Sequence, residues 1–98
     1  SYKRKGYLML IDFHQAQLQK FMALATQVEA EPEHYLQFDS VSDFYKASWL
    51  KKFPAGTVWY ASGLDDGAEE FHAVIEYREV QLLLSCGPCI SAKIAWKH

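Results

Sequence analysis

The chain has 98 residues, half of them apolar and 15% aromatic, with a formal net charge of −2. That length suits one domain built on one hydrophobic core, and the composition argues against disorder. The slightly acidic balance argues against a nucleic-acid binder, and no apolar run approaches the roughly 18 residues of a membrane span.

Lys3, Arg4 and Lys5 open the chain as a basic, solvated arm, so residues 1–5 are expected to stand outside the packing of a single domain over 1–98. Residues 6–11 read as a strand: Leu8, Met9, Leu10 and Ile11 are apolar in sequence, as in a strand covered on both faces. Asp12 has the character of a helix N-cap, with Gln15 three residues later as its box partner. Leu18, Phe21, Met22, Ala25 and Val28 recur at helical spacing, which predicts an amphipathic helix over 13–28. Glu31-Pro32-Glu33 marks a turn, and Tyr35 to Phe38 fits a short strand. Ser40, with Asp43 at the box position, caps a second helix whose common face carries Val41, Phe44, Tyr45, Ser48 and Trp49; Pro54, Ala55 and Gly56 end it.

The remainder reads as β. Thr57 to Ser62 is rich in β-branched and aromatic residues, and Asp65-Asp66-Gly67 is a turn signal. Phe71, Ala73, Ile75 and Tyr77 then alternate with His72, Val74 and Glu76. The apolar parity shifts at Val80, Leu82 and Leu84, so a turn or bulge near Arg78 and Glu79 must absorb the change. Cys86-Gly87-Pro88-Cys89 is another connection, and after it Ile90, Ala92, Ile94 and Trp96 alternate with Ser91, Lys93, Ala95 and Lys97.

The expected fold is α+β: an antiparallel sheet of four to five strands, an N-terminal strand plus a C-terminal meander, with two helices packed on one face. The covered face would carry Phe71, Ile75, Leu82, Leu84, Ile94 and Trp96, and the other His72, Glu76, Gln81, Lys93 and Lys97.

Cys86-Gly87-Pro88-Cys89 equals the redox tetrapeptide of thioredoxin-like proteins, in which a thiolate at a helix N-terminus attacks a disulfide. Here only nine residues follow Cys89 and they alternate like a strand, which favours a structural turn; a zinc half-site of Cys86, Cys89 and His98 lacks a matching second pair. His14, His34, His72 and His98 show no metal-ligand spacing, and no cofactor motif is present. His14 is expected to face water. His72 shares a strand face with Glu76 and pairs with it as an acid–base candidate, against the plainer reading of a solvated sheet face. Carboxylates cluster over 29–43 and 65–70, where they serve solubility or meet a basic partner.

Ser42-Asp43-Phe44-Tyr45-Lys46 resembles the SDFYK segment of the MqsR-type branch of RelE-type mRNA interferase toxins, and Thr57-Val58-Trp59 is similar to its following T-I-W segment. The resemblance implies RNA cleavage with Lys46 as the catalytic position. It departs from the pattern at Tyr60, where that branch has glutamine, at Phe71, where it has tyrosine, and after Ser85, where its C-terminal lysine is missing.

By elimination, the favoured function is a non-enzymatic module binding a protein or a small ligand, with the interferase and thiol–disulfide readings as alternatives. Trp59, Tyr60, His72, Glu76 and Arg78 are the candidate binding residues, because aromatic and arginine side chains make good anchors. Trp59 and Tyr60 point in opposite directions, so at most one faces outward. A second copy is a further candidate partner, through a sheet face or through the last strand as an exposed edge. With no secretory leader in the sequence, the cytoplasm is the expected compartment.

Overall fold

The computed structural model describes residues 2–63 and 70–97, with side chains over 13–61 and 70–97. The helical half comes first: α1 (Tyr2–Ala30), α2 (Pro32–Tyr35), α3 (Val41–Tyr45) and a 3-10 turn at Ser48–Lys52. Four strands follow, β1 (Val58–Gly63), β2 (Phe71–Tyr77), β3 (Val80–Cys86) and β4 (Ser91–Trp96). They form one antiparallel meander in the order β1-β2-β3-β4, and the helical layer packs on one of its faces. The class is α+β, as the sequence pattern predicts. No helix among the described residues is long and apolar enough to cross a membrane.

The N-terminal strand expected over 6–11 is absent. Those residues belong to α1, which runs unbroken for 29 residues, or about 43 Å at roughly 1.5 Å per residue. A short apolar run carries no period of its own. Here the good helix formers around it, Leu, Met, Gln, Lys and Ala, extend the helix in both directions despite Gly6. Asp12 therefore lies inside the helix and is not its N-cap, and Lys3, Arg4 and Lys5 lie within α1. The strand expected at Tyr35 to Phe38 is also absent: Tyr35 ends α2 and the next three residues are irregular. The second helix is shorter than its pattern. Ser40 does cap α3, its Oγ accepting from the Asp43 N–H at 3.2 Å, but α3 ends at Tyr45 and the chain resumes as the 3-10 turn. The Asp65-Asp66-Gly67 turn signal lies outside the described residues.

Strand register explains why one face is a core. Cross-strand rows on the covered side run Trp59–Ile75–Leu82–Ile94 and Ala61–Ala73–Leu84–Ala92, with Tyr77–Val80–Trp96 at one end and Phe71–Cys86 at the other. Onto them α1 lays Phe21, Ala25 and Val28, all fully buried. The irregular stretch after α2 fills the rest with aromatic rings: Phe38 packs against Phe44, Trp49 and Phe71, and Phe53 against Phe21 and Trp49. Each fully buried large side chain contributes about 1.5–3 kcal/mol relative to exposure, so this layer dominates stability although little of it after α1 is regular helix.

The parity shift is absorbed by a two-residue turn, Arg78-Glu79, between β2 and β3. Arg78 sits at φ 53, a position where two-residue hairpins favour glycine, asparagine or aspartate.

Candidate functional site

Among the described residues, none forms a layer on the second face of the sheet. Register groups its side chains into rows across the strands. The central row is Tyr60–Val74–Leu83–Lys93, apolar across its middle with a cation at one end. On one side lies Val58–Glu76–Gln81–Ala95; on the other, His72, Ser85 and Ser91. Tyr60 and Val58 are about half exposed and Leu83 is 38% exposed, values that set this face apart from the sealed side of the same strands.

Glu76 organises the polar part of the face. Its Oε1 accepts from the Tyr60 hydroxyl and from Gln81 Nε2, both at 2.9 Å, and its Oε2 pairs with Lys97 Nζ at 2.6 Å. The Lys97 contact, then those from Gln81 and Tyr60, hold the Glu76 carboxyl below its ordinary value. The same hydrogen bond to Glu76 holds the Tyr60 phenol above its own.

The candidate binding residues thus separate. Tyr60 and Glu76 meet on the open face. His72 shares that face but stands four residues from Glu76, about 13 Å at roughly 3.3 Å per residue, so the two do not form an acid–base pair. Trp59 turns to the covered side, where it packs on the core. Arg78 leaves the sheet altogether: its Nη2 donates to His14 Nδ1 at 2.8 Å, and its guanidinium carbon lies 5.8 Å from the Tyr77 ring centroid. His14, expected only to face water, is half-buried in this contact. Nothing in the sequence signals a pairing across 64 positions.

A recess opens at this point. Phe13, His14 and Gln17 of α1, Ala55 and Gly56 before β1, and Tyr77 and Arg78 border an open recess of about 430 Å³. Gly56 adopts φ 92, and a Cβ there would lie 3.9 Å from Tyr77 Cε2.

The cysteines lie at the opposite end of the sheet. Cys86 ends β3 buried, and desolvation pushes its thiol up to about 11. Cys89 is exposed, both are free, and the segment joins β3 to β4 with no helix after Pro88. A buried thiol is the reverse of the stabilised thiolate that disulfide exchange uses. His98 lies outside the described residues. Lys46 caps the C-terminus of α3 on the surface, and its neighbour Tyr45 turns away to accept the Ala61 N–H at 2.9 Å.

No family model matches this chain, and neither the curated proteins nor the solved structures contain a match to it.

Proposed function

We propose that the chain is a non-enzymatic binding module that docks a partner protein on the open face of its sheet. The observation that carries this reading is the half-exposed apolar strip of Val58, Tyr60 and Leu83 around Val74, on a sheet that the described residues cover on its other side only. Layered domains cover apolar sheet faces, and an uncovered one marks a place where another chain supplies the layer.

The dimensions favour a slender occupant. Four strands spaced about 4.8 Å apart, each near 20 Å long, present on the order of 400 Å². A globular partner in a stable complex needs about 800 Å² per side, whereas one amphipathic helix about 10 Å across fits the strip. Lys93 at the end of the apolar row, and Lys97 beside Glu76, favour a helix with an acidic residue beyond its apolar stripe.

The test places a photo-reactive phenylalanine analogue at Leu83, and at exposed Lys20 on α1 as control, in cells expressing the chain. The reading expects an adduct with one other polypeptide from position 83 alone, mapped to an amphipathic acidic helix and lost with Tyr60→Asp. No adduct at 83, equal adducts at both positions, or an adduct of twice the chain's own mass would each overturn it.

A further inference from the structure

The recess at the β2–β3 turn lies off the sheet face and supports an inference independent of it. We propose that it binds a small aromatic carboxylate, the anion held by Arg78 and His14 and the ring lying on the exposed Phe13, with the edge of Tyr77 as the far border.

The cation comes first. Among the residues whose side chains are described, 13–61 and 70–97, no carboxylate lies within ion-pair distance of Arg78, and the one hydrogen bond of its side chain goes to an imidazole nitrogen. Arginine cannot accept, so His14 Nδ1 is the acceptor and the ring carries its proton on Nε2. The remaining guanidinium N–H groups form a planar fork that matches a carboxylate, with the His14 Nε2–H as a further donor beside it.

The walls come second. Phe13 is 60% exposed although it borders the recess, and its ring meets His14 edge-on with centroids 5.8 Å apart. Tyr77 borders the opposite side by the edge of its ring alone: it is 4% exposed, stacked on Phe21, overlain by the Arg78 guanidinium and so fixed in place. A volume of about 430 Å³ falls in the range of small-molecule sites, and glycine at position 56 adds no side chain to the lining.

The backbone is the third observation. Arginine stands at a turn position that glycine would occupy with less strain, and from there it reaches back over Tyr77 to α1. Retaining a strained residue for its side chain is the pattern of a binding site.

The experiment is an NMR titration of the full chain with benzoate, benzamide and acetate. Benzoate should move the His14, Gly56 and Tyr77 resonances along a saturable curve, with a dissociation constant on the order of 1 mM for so small a ligand. Benzamide, lacking the charge, and acetate, lacking the ring, should each bind roughly tenfold more weakly or worse. Arg78→Gly should abolish benzoate binding while leaving the melting temperature unchanged or raised, since glycine suits the turn. Absence of saturation by benzoate, equal binding of benzamide or acetate, or undiminished binding to Arg78→Gly would overturn the proposal. A loss of binding accompanied by a lower melting temperature would do so too, because it would make Arg78 a structural residue of the turn.

Discussion

Leu82 and Leu83 are neighbours in β3, identical in chemistry, yet the first is completely buried in the core and the second is 38% exposed on the open face. The same division runs along β2, where Phe71, Ala73, Ile75 and Tyr77 are sealed while His72 is exposed and Val74 and Glu76 are half-buried between them. The two faces share one backbone and one set of ladder hydrogen bonds, so their difference lies in side chains alone. On the covered face an apolar residue is explained by the layer above it. On the open face Tyr60, Val74 and Leu83 have no such explanation among the described residues, and that excess is what points to binding.

The comparison breaks most readily at this leucine pair. Leu82→Ala should cost about 2–5 kcal/mol, because the surrounding core cannot fully collapse onto the cavity. Leu83→Ala should stay within about 0.5 kcal/mol, as surface changes do. Urea denaturation of both variants measures the contrast, and equal losses would mean that the open face is packed like the core. The cysteines repeat the comparison in kinetic form. With its thiol near 11, Cys86 is ionised to only about one part in a thousand at pH 8, and its burial excludes reagent as well. Iodoacetamide should therefore label Cys89 first, and Cys86 at least roughly a hundredfold more slowly unless denaturant is added. Mass spectrometry of peptides after timed quenching reads the order, and comparable rates would remove Cys86 from the core.

The sealed face was legible in the sequence because alternation at β2 and β3 is strict and the turn at Arg78-Glu79 is short, so parity alone placed every residue. The helical layer was only half legible. Phe21, Ala25 and Val28 announce themselves by spacing, whereas Tyr7 to Ile11 is apolar at every position and fits strand and helix alike. The cap signature at Asp12 misled because an N-cap is local chemistry, worth about 1 kcal/mol, and a continuous run of helix formers outweighs it. Within the binding set, parity located Tyr60 and Glu76 together once one of Trp59 and Tyr60 was known to face inward. The Arg78–His14 contact was not legible: it depends on where α1 crosses the sheet, which no local pattern encodes.

The sheet edges sharpen the same comparison at smaller scale. Register leaves the Ile94 and Ala61 N–H groups pointing away from their neighbouring strands, and each is met by the helical layer. Glu29 accepts from Ile94 at 2.8 Å and Tyr45 from Ala61 at 2.9 Å. Side chains from the covered side thus occupy the donors through which a foreign strand would add. Glu29→Ala combined with Tyr45→Phe should lower stability by about 1 kcal/mol per lost bond and promote self-association. Sedimentation velocity across a concentration series checks this, and a variant that stays monomeric wherever the parent does would show that the two bonds do not guard the edges.

The smallest expected effect belongs to Glu76, the one carboxylate of the open face with three described partners. Its folded pKa lies below the unfolded value because Lys97, Gln81 and Tyr60 all favour the charged form. The stabilisation is accordingly present above the unfolded carboxylate pKa of roughly 4.3 and disappears as pH falls through the folded value. Denaturation at neutral and acid pH should show the parent losing more stability over that interval than Glu76→Gln. The difference should be slight and diminish with salt, since Lys97 is 42% exposed and solvent screens the pair. The alkaline limb separates this cluster from any general effect of charge. The phenol of Tyr60 is held above its usual range chiefly by donating to Glu76, so Glu76→Gln should move one tyrosine titration downward and leave the others in place. The same substitution should move none in a Tyr60→Phe background, and ultraviolet difference titration of the two pairs decides whether the cluster exists in solution.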